Sequence, residues 1–226
     1  RGAYEYSGQK CSALSRCYIP QRIWPEVKEK LLNEIATIKV GDIADFTNFF
    51  GAVIDKNAFE EITSYIDAAK ESPDADVLCG GYDGSKGWFV YPTLIQARNV
   101  NYVTMIKELF GPVLTVYVYG EDEYDTMVDH CANSSAYALT GAVFSENRAQ
   151  ITDLEERLRH SAGNFCINDK PTGALCGQQP FGGARGSGTN DKAGSILNMI
   201  RWMSPQTVKE NFCPPEDYRY PYMDAE

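Results

Sequence analysis

The strongest constraint on the fold is an alternation of strand-like and helix-like segments along much of the chain. Residues 113–119 form a run of valine and tyrosine that is typical of a buried strand. A helical pattern follows at 122–131, a strand pattern at 140–144, a helical pattern at 147–159 and a strand pattern at 162–168. We therefore predict an α/β fold with an open, largely parallel sheet and helices on both faces.

The first half of the chain contains two longer helical patterns. Apolar residues recur at helical spacing over 24–38, and Pro25 is well placed in the first turn of that helix. A second helix is predicted to begin at a cap formed by Asp55 or Asn57 and to extend to residue 70. Both helices are expected to be packing elements.

A glycine pair, Gly80-Gly81, follows a strand pattern at 75–79. Such a pair can belong to a phosphate-binding loop, but no G-x-x-x-x-G-K-[S/T] or G-x-G-x-x-G pattern follows a strand here. We therefore interpret the pair as the end of the strand. The polar residues 82–87 are then the turn of a hairpin whose second arm includes 88–90 and 93–95.

Composition and charge argue against several classes of function. The 226 residues suffice for one large domain, and the formal net charge of −10 argues against a nucleic-acid or anionic-membrane surface. No apolar run approaches the roughly 20 residues that a membrane span needs. The seven cysteines are scattered without a C-x-x-C pair, so we expect neither a disulfide framework nor a metal site.

Cys11 is the cysteine whose surroundings favour reactivity. Gly8 removes side-chain bulk shortly before the sulfur, and we predict a short helix over 9–15 with Cys11 in its first turn. Backbone N–H groups at a helix start favour an anion, and thiolate rather than thiol attacks a carbonyl carbon. Lys10 adds a neighbouring cation. On local grounds alone, an ordinary buried cysteine remains the alternative.

Three motifs in order resemble those of the aldehyde dehydrogenase superfamily. Gly8-Gln9-Lys10-Cys11-Ser12-Ala13, followed by Arg16, resembles the catalytic cysteine motif, and residues 108–113 (ELFGPV) resemble a second signature. Residues 177–185 (GQQPFGGAR) and 188–192 (GTNDK) resemble one branch, the Δ1-pyrroline-5-carboxylate dehydrogenases. The resemblance covers essentially all 226 residues, but only the carboxyl-terminal part of such an enzyme.

The resemblance implies NAD-dependent oxidation of L-glutamate γ-semialdehyde to L-glutamate in proline catabolism, with Cys11 as nucleophile. It implies that Glu108 contacts the nicotinamide ribose and that Phe110 packs beside the nicotinamide. Without the motif, Glu108 is an ordinary solvated loop carboxylate. The resemblance also places the family's oxyanion asparagine, glutamate base and Rossmann-type cofactor domain before residue 1. We therefore expect an incomplete NAD site and no full reaction from the 226 residues alone.

Residues 170–194 form a glycine-rich stretch whose apolar insertions indicate a packed loop. Backbone N–H groups of such a loop can converge on a carboxylate because glycine lacks Cβ. By resemblance, Gly173 and Ala174 anchor the substrate carboxylate, and Ser12 offers it a hydroxyl. Most relatives have serine where this chain has Ala174, so one donor is missing. Phe181 resembles the aromatic residue that lines the aliphatic part of the substrate; core packing is the alternative.

Residues 1–204 are predicted to form the nucleophile-bearing catalytic domain, and residues 205–226 an extended tail. The tail corresponds to a segment of relatives that makes subunit contacts, which implies a homo-oligomer. The chain begins at Arg1 and shows no targeting segment, so we expect a processed or excised piece. The resemblance implies a mitochondrial matrix location.

Three other functions are compatible with parts of the sequence. The chain can be a non-catalytic oligomerisation or regulatory fragment of the same fold, or a thiol esterase that uses Cys11. A Cys–His hydrolase has little support, because His130 and His160 fall on predicted helices with no serine or cysteine motif beside them. The acidic run 121–123 is explained by its place at a helix start.

Overall fold

The computed structural model describes residues 1–224 and confirms the α/β class. Its helices, in chain order, are α1 Trp24–Thr37, α2 Lys56–Glu71, α3 Val103–Ile106, α4 Tyr124–Asn133, α5 Arg148–Leu158 and α6 Ile196–Ile200. Its strands are β1 Arg16–Pro20, β2 Ala75–Asp83, β3 Phe89–Ala97, β4 Val113–Tyr119, β5 Tyr137–Ala138, β6 Thr140–Val143, β7 Asn164–Ile167 and β8 Ala184–Arg185. Short 3₁₀ turns occupy Glu5–Gly8, Glu121–Glu123 and Pro221–Asp224.

The main sheet has four strands in the order β1-β4-β3-β2. β1, β4 and β3 run parallel, and β2 pairs antiparallel with β3. A second sheet joins β6 and β7 in parallel, and a short antiparallel pair joins β5 and β8. The sheet structure is therefore largely parallel, as the alternation of elements predicts.

Helices cover both faces of the main sheet. Neighbouring residues of a strand point to opposite faces, and Leu94 of β3 packs in one cluster with α1 while Ile95 packs in another with α2. The start of α2 also follows the sequence, because the Asp55 side chain accepts a hydrogen bond of 2.8 Å from the Ala58 N–H. Of the two predicted caps, the structure therefore uses Asp55.

The glycine pair Gly80-Gly81 lies inside β2 and does not end it. The strand continues to Asp83 and pairs with β3 through a shifted register. Gly80 has a φ of +113°, and a Cβ there would lie 2.2 Å from Thr93 Oγ1. The prediction that the strand ends at this pair is therefore wrong, because the pair forms a β-bulge that needs glycine against β3. The hairpin itself is confirmed.

The carboxyl-terminal part has little regular structure. Within residues 170–194 the only strand among the described residues is β8, which confirms a long loop. Residues 201–220 form no helix or strand and are exposed, so the described part of the tail lacks regular secondary structure up to the turn at Pro221–Asp224. Of the predicted tail, residues 225 and 226 lie outside the described residues. No helix within residues 1–224 has both the length and the apolarity to cross a membrane.

Candidate active site

Cys11 lies in a tight turn, not in a helix. The Ala13 N–H donates to the Lys10 carbonyl at 2.9 Å, which places Cys11 and Ser12 at the centre of a turn over residues 10–13, here called the nucleophile turn. The Leu14 N–H donates to the carbonyl of Gly2 at 2.9 Å, so it cannot continue a helix. The predicted helix over 9–15 is therefore wrong, and no helix start lies at the sulfur.

The backbone before Cys11 is held against the loop that leads into β4. Tyr6, Ser7 and Gly8 have φ values of +56°, +57° and +65°, so the chain passes through a left-handed turn before Cys11. A Cβ at Gly8 would lie 2.2 Å from the Gly111 carbonyl oxygen. Glycine at position 8 is therefore required by both its conformation and the close approach of the second chain segment.

Cys11 is an exposed, free cysteine, so the alternative of a buried core cysteine does not apply. Lys10 forms an ion pair of 2.8 Å with Glu5. The hydrogen bond from Lys10 lowers the pKa of Glu5, with smaller contributions from the charges of Lys10, Arg1 and Lys170. The charge of Lys10 is thus paired with Glu5 rather than directed at the sulfur alone.

An open cleft of about 350 Å³, here the first cleft, lies between the nucleophile turn and the chain before β4. The predicted cofactor residues Glu108 and Phe110 lie in its wall, beside residues that flank Cys11. The full lining is Gly8, Lys10, Ala13, Leu14, Ser15, Thr104, Lys107, Glu108, Leu109, Phe110, Gly111, Val113 and Thr115. Cys11 and Ser12 lie between two of these residues, Lys10 and Ala13. Two sequence motifs about a hundred residues apart therefore meet at one surface.

Glu108 and Phe110 present complementary groups to the first cleft. Glu108 is exposed, yet desolvation by surrounding protein atoms raises the pKa of its carboxyl above the ordinary value. Phe110 has a φ of +54°, which is uncommon for a large residue, and its side chain is 46% exposed. The site thus offers a carboxylate acceptor next to an open aromatic ring.

A second cleft, of about 390 Å³, lies against β7 and the loop that follows it. Two of the predicted substrate residues line it, in this set: Asn164, Phe165, Cys166, Asp169, Lys170, Pro171, Thr172, Ala174, Gln179 and Phe181. Gly173 has a φ of +89° and lies between Thr172 and Ala174. Phe181 is half-buried, and its backbone forms an isolated bridge with Ala193.

Gly2 joins the surroundings of the two clefts. A Cβ at Gly2 would lie 3.5 Å from Lys170 Cβ, 3.6 Å from Pro171 Cδ and 3.8 Å from Leu14 Cβ. Leu14, directly after the nucleophile turn, and the first two residues of the segment 170–174, here called the anchor loop, therefore pack against the same backbone position. Ser12 is only 8% exposed and is not among the residues that line either cleft.

Two residues of the second cleft, Lys170 and Thr172, were not singled out from the sequence. The Lys170 ammonium donates to the Thr172 carbonyl at 2.9 Å. Thr172 is 7% exposed, and its hydroxyl has no hydrogen-bond partner among the described residues. Their place directly before Gly173-Ala174 was the available sequence signal, but only the structure shows the unpaired hydroxyl.

The histidines lie apart from both clefts. His130 is on α4, where its ring contacts that of Tyr18 with centroids 6.2 Å apart, and its Nε2 is buried without a partner among residues 1–224. His160 follows α5. No group of three His, Cys, Asp or Glu residues in the described chain has an arrangement that could hold a metal ion.

Comparison with known proteins identifies the class. Residues 1–208 match the model of the aldehyde dehydrogenase family, and the chain belongs to this family. It is 54% identical to the mitochondrial Delta-1-pyrroline-5-carboxylate dehydrogenase of Dictyostelium discoideum, over 99% of this chain and 40% of that protein. It is 49% identical to the Bos taurus protein of the same name, with the same coverage. These matches confirm the resemblance seen in the three motifs.

Solved structures show the same relationship. The Delta-pyrroline-5-carboxylate dehydrogenase from Mycobacterium tuberculosis, bound with NAD, superimposes with a TM-score of 0.86 and 46% sequence identity. The match covers 100% of this chain and 41% of that one. The chain thus spans about 40% of the length of the curated relatives that it matches.

Proposed function

We propose that this chain forms the nucleophile-bearing part of an NAD-dependent aldehyde dehydrogenase that oxidises L-glutamate γ-semialdehyde to L-glutamate in proline catabolism. The observation that carries the proposal is the exposed Cys11 in a turn whose flanking residues line one cleft with Glu108 and Phe110. Similarity to Δ1-pyrroline-5-carboxylate dehydrogenases over nearly the whole chain supports the substrate.

Cys11 is assigned the covalent step. Its thiolate attacks the aldehyde carbon, a C–S bond forms, and the carbonyl oxygen becomes an oxyanion. The backbone N–H of Cys11 is the donor that we assign to this oxyanion. Because Cys11 lies in a turn, this donor acts through local geometry and not through a helix dipole.

Glu108 and Phe110 fit a nicotinamide nucleotide in the first cleft. A carboxylate can accept hydrogen bonds from both hydroxyls of a ribose, and the half-exposed ring of Phe110 offers an apolar surface beside a planar nicotinamide. When bound, NAD supplies the hydride acceptor that the oxidation needs. The NAD-bound structure of a relative with 46% identity supports this assignment.

The second cleft is assigned to the distal end of the substrate. Gly173 and Ala174 are exposed and offer backbone N–H groups to a carboxylate, with Ser12 as a further donor from the nucleophile turn. Phe181 lines the same cleft as Ala174 and would contact the aliphatic part of the substrate. The packing of both loops on Gly2 supports one continuous substrate site.

The proposal extends to the domain division, the assembly and the location of the protein. We assign residues 1–204 to the catalytic domain and the tail to subunit contacts in a homo-oligomer. Phe212 and Tyr218 are 88% and 90% exposed, which supports a role for the tail in covering a partner surface. Relatives named as mitochondrial support a place in the mitochondrial matrix.

Selective alkylation tests the role of Cys11. The 226-residue chain is treated with limiting iodoacetamide, and adducts are located by mass spectrometry. Cys176 and Cys213 are matched controls, because they are also exposed and free. We expect Cys11 to react at least about tenfold faster, since catalytic cysteines occupy environments that favour the thiolate. Equal labelling of all three thiols contradicts the proposal and favours a non-catalytic fragment.

An activity assay of the same chain separates the remaining alternatives. By resemblance, the family's glutamate base and oxyanion asparagine are not among these 226 residues, so we expect no NAD reduction with the aldehyde. Slow hydrolysis of 4-nitrophenyl acetate that disappears in Cys11→Ala would reveal the thiol esterase. Cys11-dependent NAD reduction by this chain would show that its NAD site and base are sufficient.

A further inference from the structure

We propose that Lys170 and Thr172 recognise the carboxylate end of the substrate in the second cleft and so determine the preference for a negatively charged aldehyde. This inference rests on the proposed function. It adds a charged group and a hydroxyl to the backbone N–H groups of Gly173 and Ala174.

Lys170 supplies a cation that forms no ion pair with an acidic residue in the described part of the chain. Its ammonium donates to the Thr172 carbonyl at 2.9 Å, and no carboxylate of residues 1–224 forms an ion pair with it. An ammonium has three donor hydrogens, so two remain for a ligand. Burial and the charge of Asp169 raise the pKa of Cys166, which lines the same cleft, and the charge of Lys170 opposes that rise. Asp169 also lines the cleft, but its Oδ1 accepts a hydrogen bond from the backbone N–H of Lys170 at 2.7 Å and forms no ion pair with the ammonium. A carboxylate entering this cleft therefore meets an ammonium that forms no ion pair within residues 1–224.

The ammonium lies directly beside the anchor loop. A Cβ added to Gly173 would be 2.8 Å from Lys170 Nζ, so the side chain fills the space that the glycine leaves. A carboxylate that accepts from the N–H groups of Gly173 and Ala174 would be within reach of this nitrogen. Backbone donors and a cation then act on the same anion.

Thr172 supplies the hydroxyl that Ala174 lacks. Its Oγ1 is buried and has no hydrogen-bond partner among the described residues, which is unfavourable in the free protein. Threonine has staggered rotamers that exchange its hydroxyl and methyl positions. A rotation that turns the hydroxyl toward the cleft breaks no hydrogen bond, because there is none to break. A bound carboxylate would satisfy this group.

The test measures binding of glutarate, a five-carbon dicarboxylate, to the 226-residue chain by titration calorimetry. Glutaramide, the uncharged diamide of the same length, is the control ligand. Lys170→Met is expected to weaken glutarate binding by about tenfold or more, and Thr172→Val by roughly three- to tenfold, because hydrogen bonds to charged groups are the stronger class. Neither substitution should change binding of glutaramide relative to wild type.

Conservative variants separate recognition from a structural role. Lys170→Arg keeps the charge and Thr172→Ser keeps the hydroxyl, so both should retain most of the affinity for glutarate. Added salt should weaken glutarate binding to the wild type and leave Lys170→Met nearly unaffected. If glutarate does not bind, or binds equally to wild type, Lys170→Met and Thr172→Val, the inference is wrong.

Alkylation of Cys11 keeps this inference separate from the proposed function. Lys170→Met and Thr172→Val should leave the rate of Cys11 labelling by iodoacetamide unchanged in the absence of ligand. A reactive Cys11 together with unchanged glutarate binding in both variants overturns the assignment of Lys170 and Thr172 alone. An unreactive Cys11 with the expected loss of glutarate binding overturns the nucleophile and supports the carboxylate site.

Discussion

The two clefts are built from different kinds of structure. The first cleft rests on β4 of the main sheet and on α3, where Thr115 and Thr104 are 1% and 3% exposed. The second cleft rests on β7, which is half-buried along its length, and on the anchor loop, where Gly173 and Ala174 are exposed. The comparison indicates that rigid packing holds the nucleophile and cofactor residues, whereas a few side chains and backbone groups shape the substrate end.

The largest difference in stability between the two cleft regions is expected when a core residue beneath the first cleft is compared with an exposed residue near the second. Ile62 of α2 has 0% exposure and fills the space beside Gly111, where a Cβ would lie 2.5 Å from its Cδ1. Ile62→Ala should lower the free energy of unfolding by about 2–5 kcal/mol through lost burial and a cavity. Urea denaturation of the 226-residue chain measures this change.

The matched substitution in the second region is Leu175→Ala. Leu175 follows the anchor loop and is 55% exposed, so we expect a change within about 0.5 kcal/mol. If Leu175→Ala lowers the free energy of unfolding as much as Ile62→Ala does, the loop around the second cleft is packed as firmly as the sheet. The proposed difference between the two clefts would then be wrong.

The next largest loss of stability is expected when Gly8, which precedes the nucleophile turn, is replaced. Gly8→Ala must accept a φ of +65° and move a Cβ away from the Gly111 carbonyl oxygen, 2.2 Å away. We expect a loss of about 2–4 kcal/mol in unfolding free energy and slower alkylation of Cys11, since the turn is displaced.

Gly177→Ala is the control for this change, because Gly177 has a φ of +76° but no atom within 4 Å of its added Cβ. Gly177→Ala should lower the free energy of unfolding by about 1–2 kcal/mol, because only the left-handed backbone conformation is unfavourable for alanine there. The rate of Cys11 labelling should not change. Equal effects of the two substitutions on labelling would show that contact with Gly111 does not position the nucleophile.

These glycines also show where the sequence was sufficient and where it was not. The bounds of β4 were predictable and the cap of α2 was narrowed to Asp55 or Asn57, because a valine-tyrosine run and an N-cap act within a few residues. The turn at Cys11 depends on the bond from Leu14 to Gly2 and on contact with Gly111, which a local pattern cannot encode. The bulge at Gly80 likewise depends on Thr93 of another strand.

The residues of the candidate site also fall into those that the sequence predicts and those that only the structure shows. The motifs identified the region of Cys11, Glu108 and the anchor loop, because each motif is a continuous stretch. Lys170 and Thr172 gain their interest only from a charge without an ion pair and a hydroxyl without a hydrogen bond, both counted within residues 1–224, at a cleft wall. Whether a side chain finds a partner depends on the whole fold. The sequence of the anchor loop therefore cannot predict that these two groups lack one within residues 1–224.

A smaller effect is expected from a buried hydrogen bond behind the first cleft. The Thr115 hydroxyl donates to the Thr104 hydroxyl at 2.7 Å, and both residues are buried. Thr115→Val should cost about 1–3 kcal/mol, because it leaves a buried hydroxyl unpaired. In the second region, Thr189 donates to Asp191 at an exposed position, so Thr189→Val should change stability by no more than about 0.5 kcal/mol. Thermal and urea unfolding would distinguish the two.

The smallest expected effect on stability concerns the charge of Glu108. Desolvation raises its pKa in the folded chain, so the folded state binds the proton more tightly than the unfolded state. Its contribution to stability is therefore most favourable below the unfolded pKa and declines as pH rises through the interval up to the raised, folded pKa. Glu108→Gln should remove this decline, so that at neutral pH the variant is as stable as the wild type or slightly more stable.

The same substitution should act in the opposite direction on function, because an amide offers a single acceptor oxygen and no charge to a ribose. In a full-length relative with the corresponding change, NAD affinity should fall by about tenfold or more, while stability at neutral pH is kept. If the Glu108→Gln variant loses as much stability as the wild type when the pH rises above the ordinary glutamate pKa, another group causes the pH dependence. Glu108 would then lower stability at neutral pH and yet be needed to bind NAD. This combination is expected of a carboxylate that is kept for function.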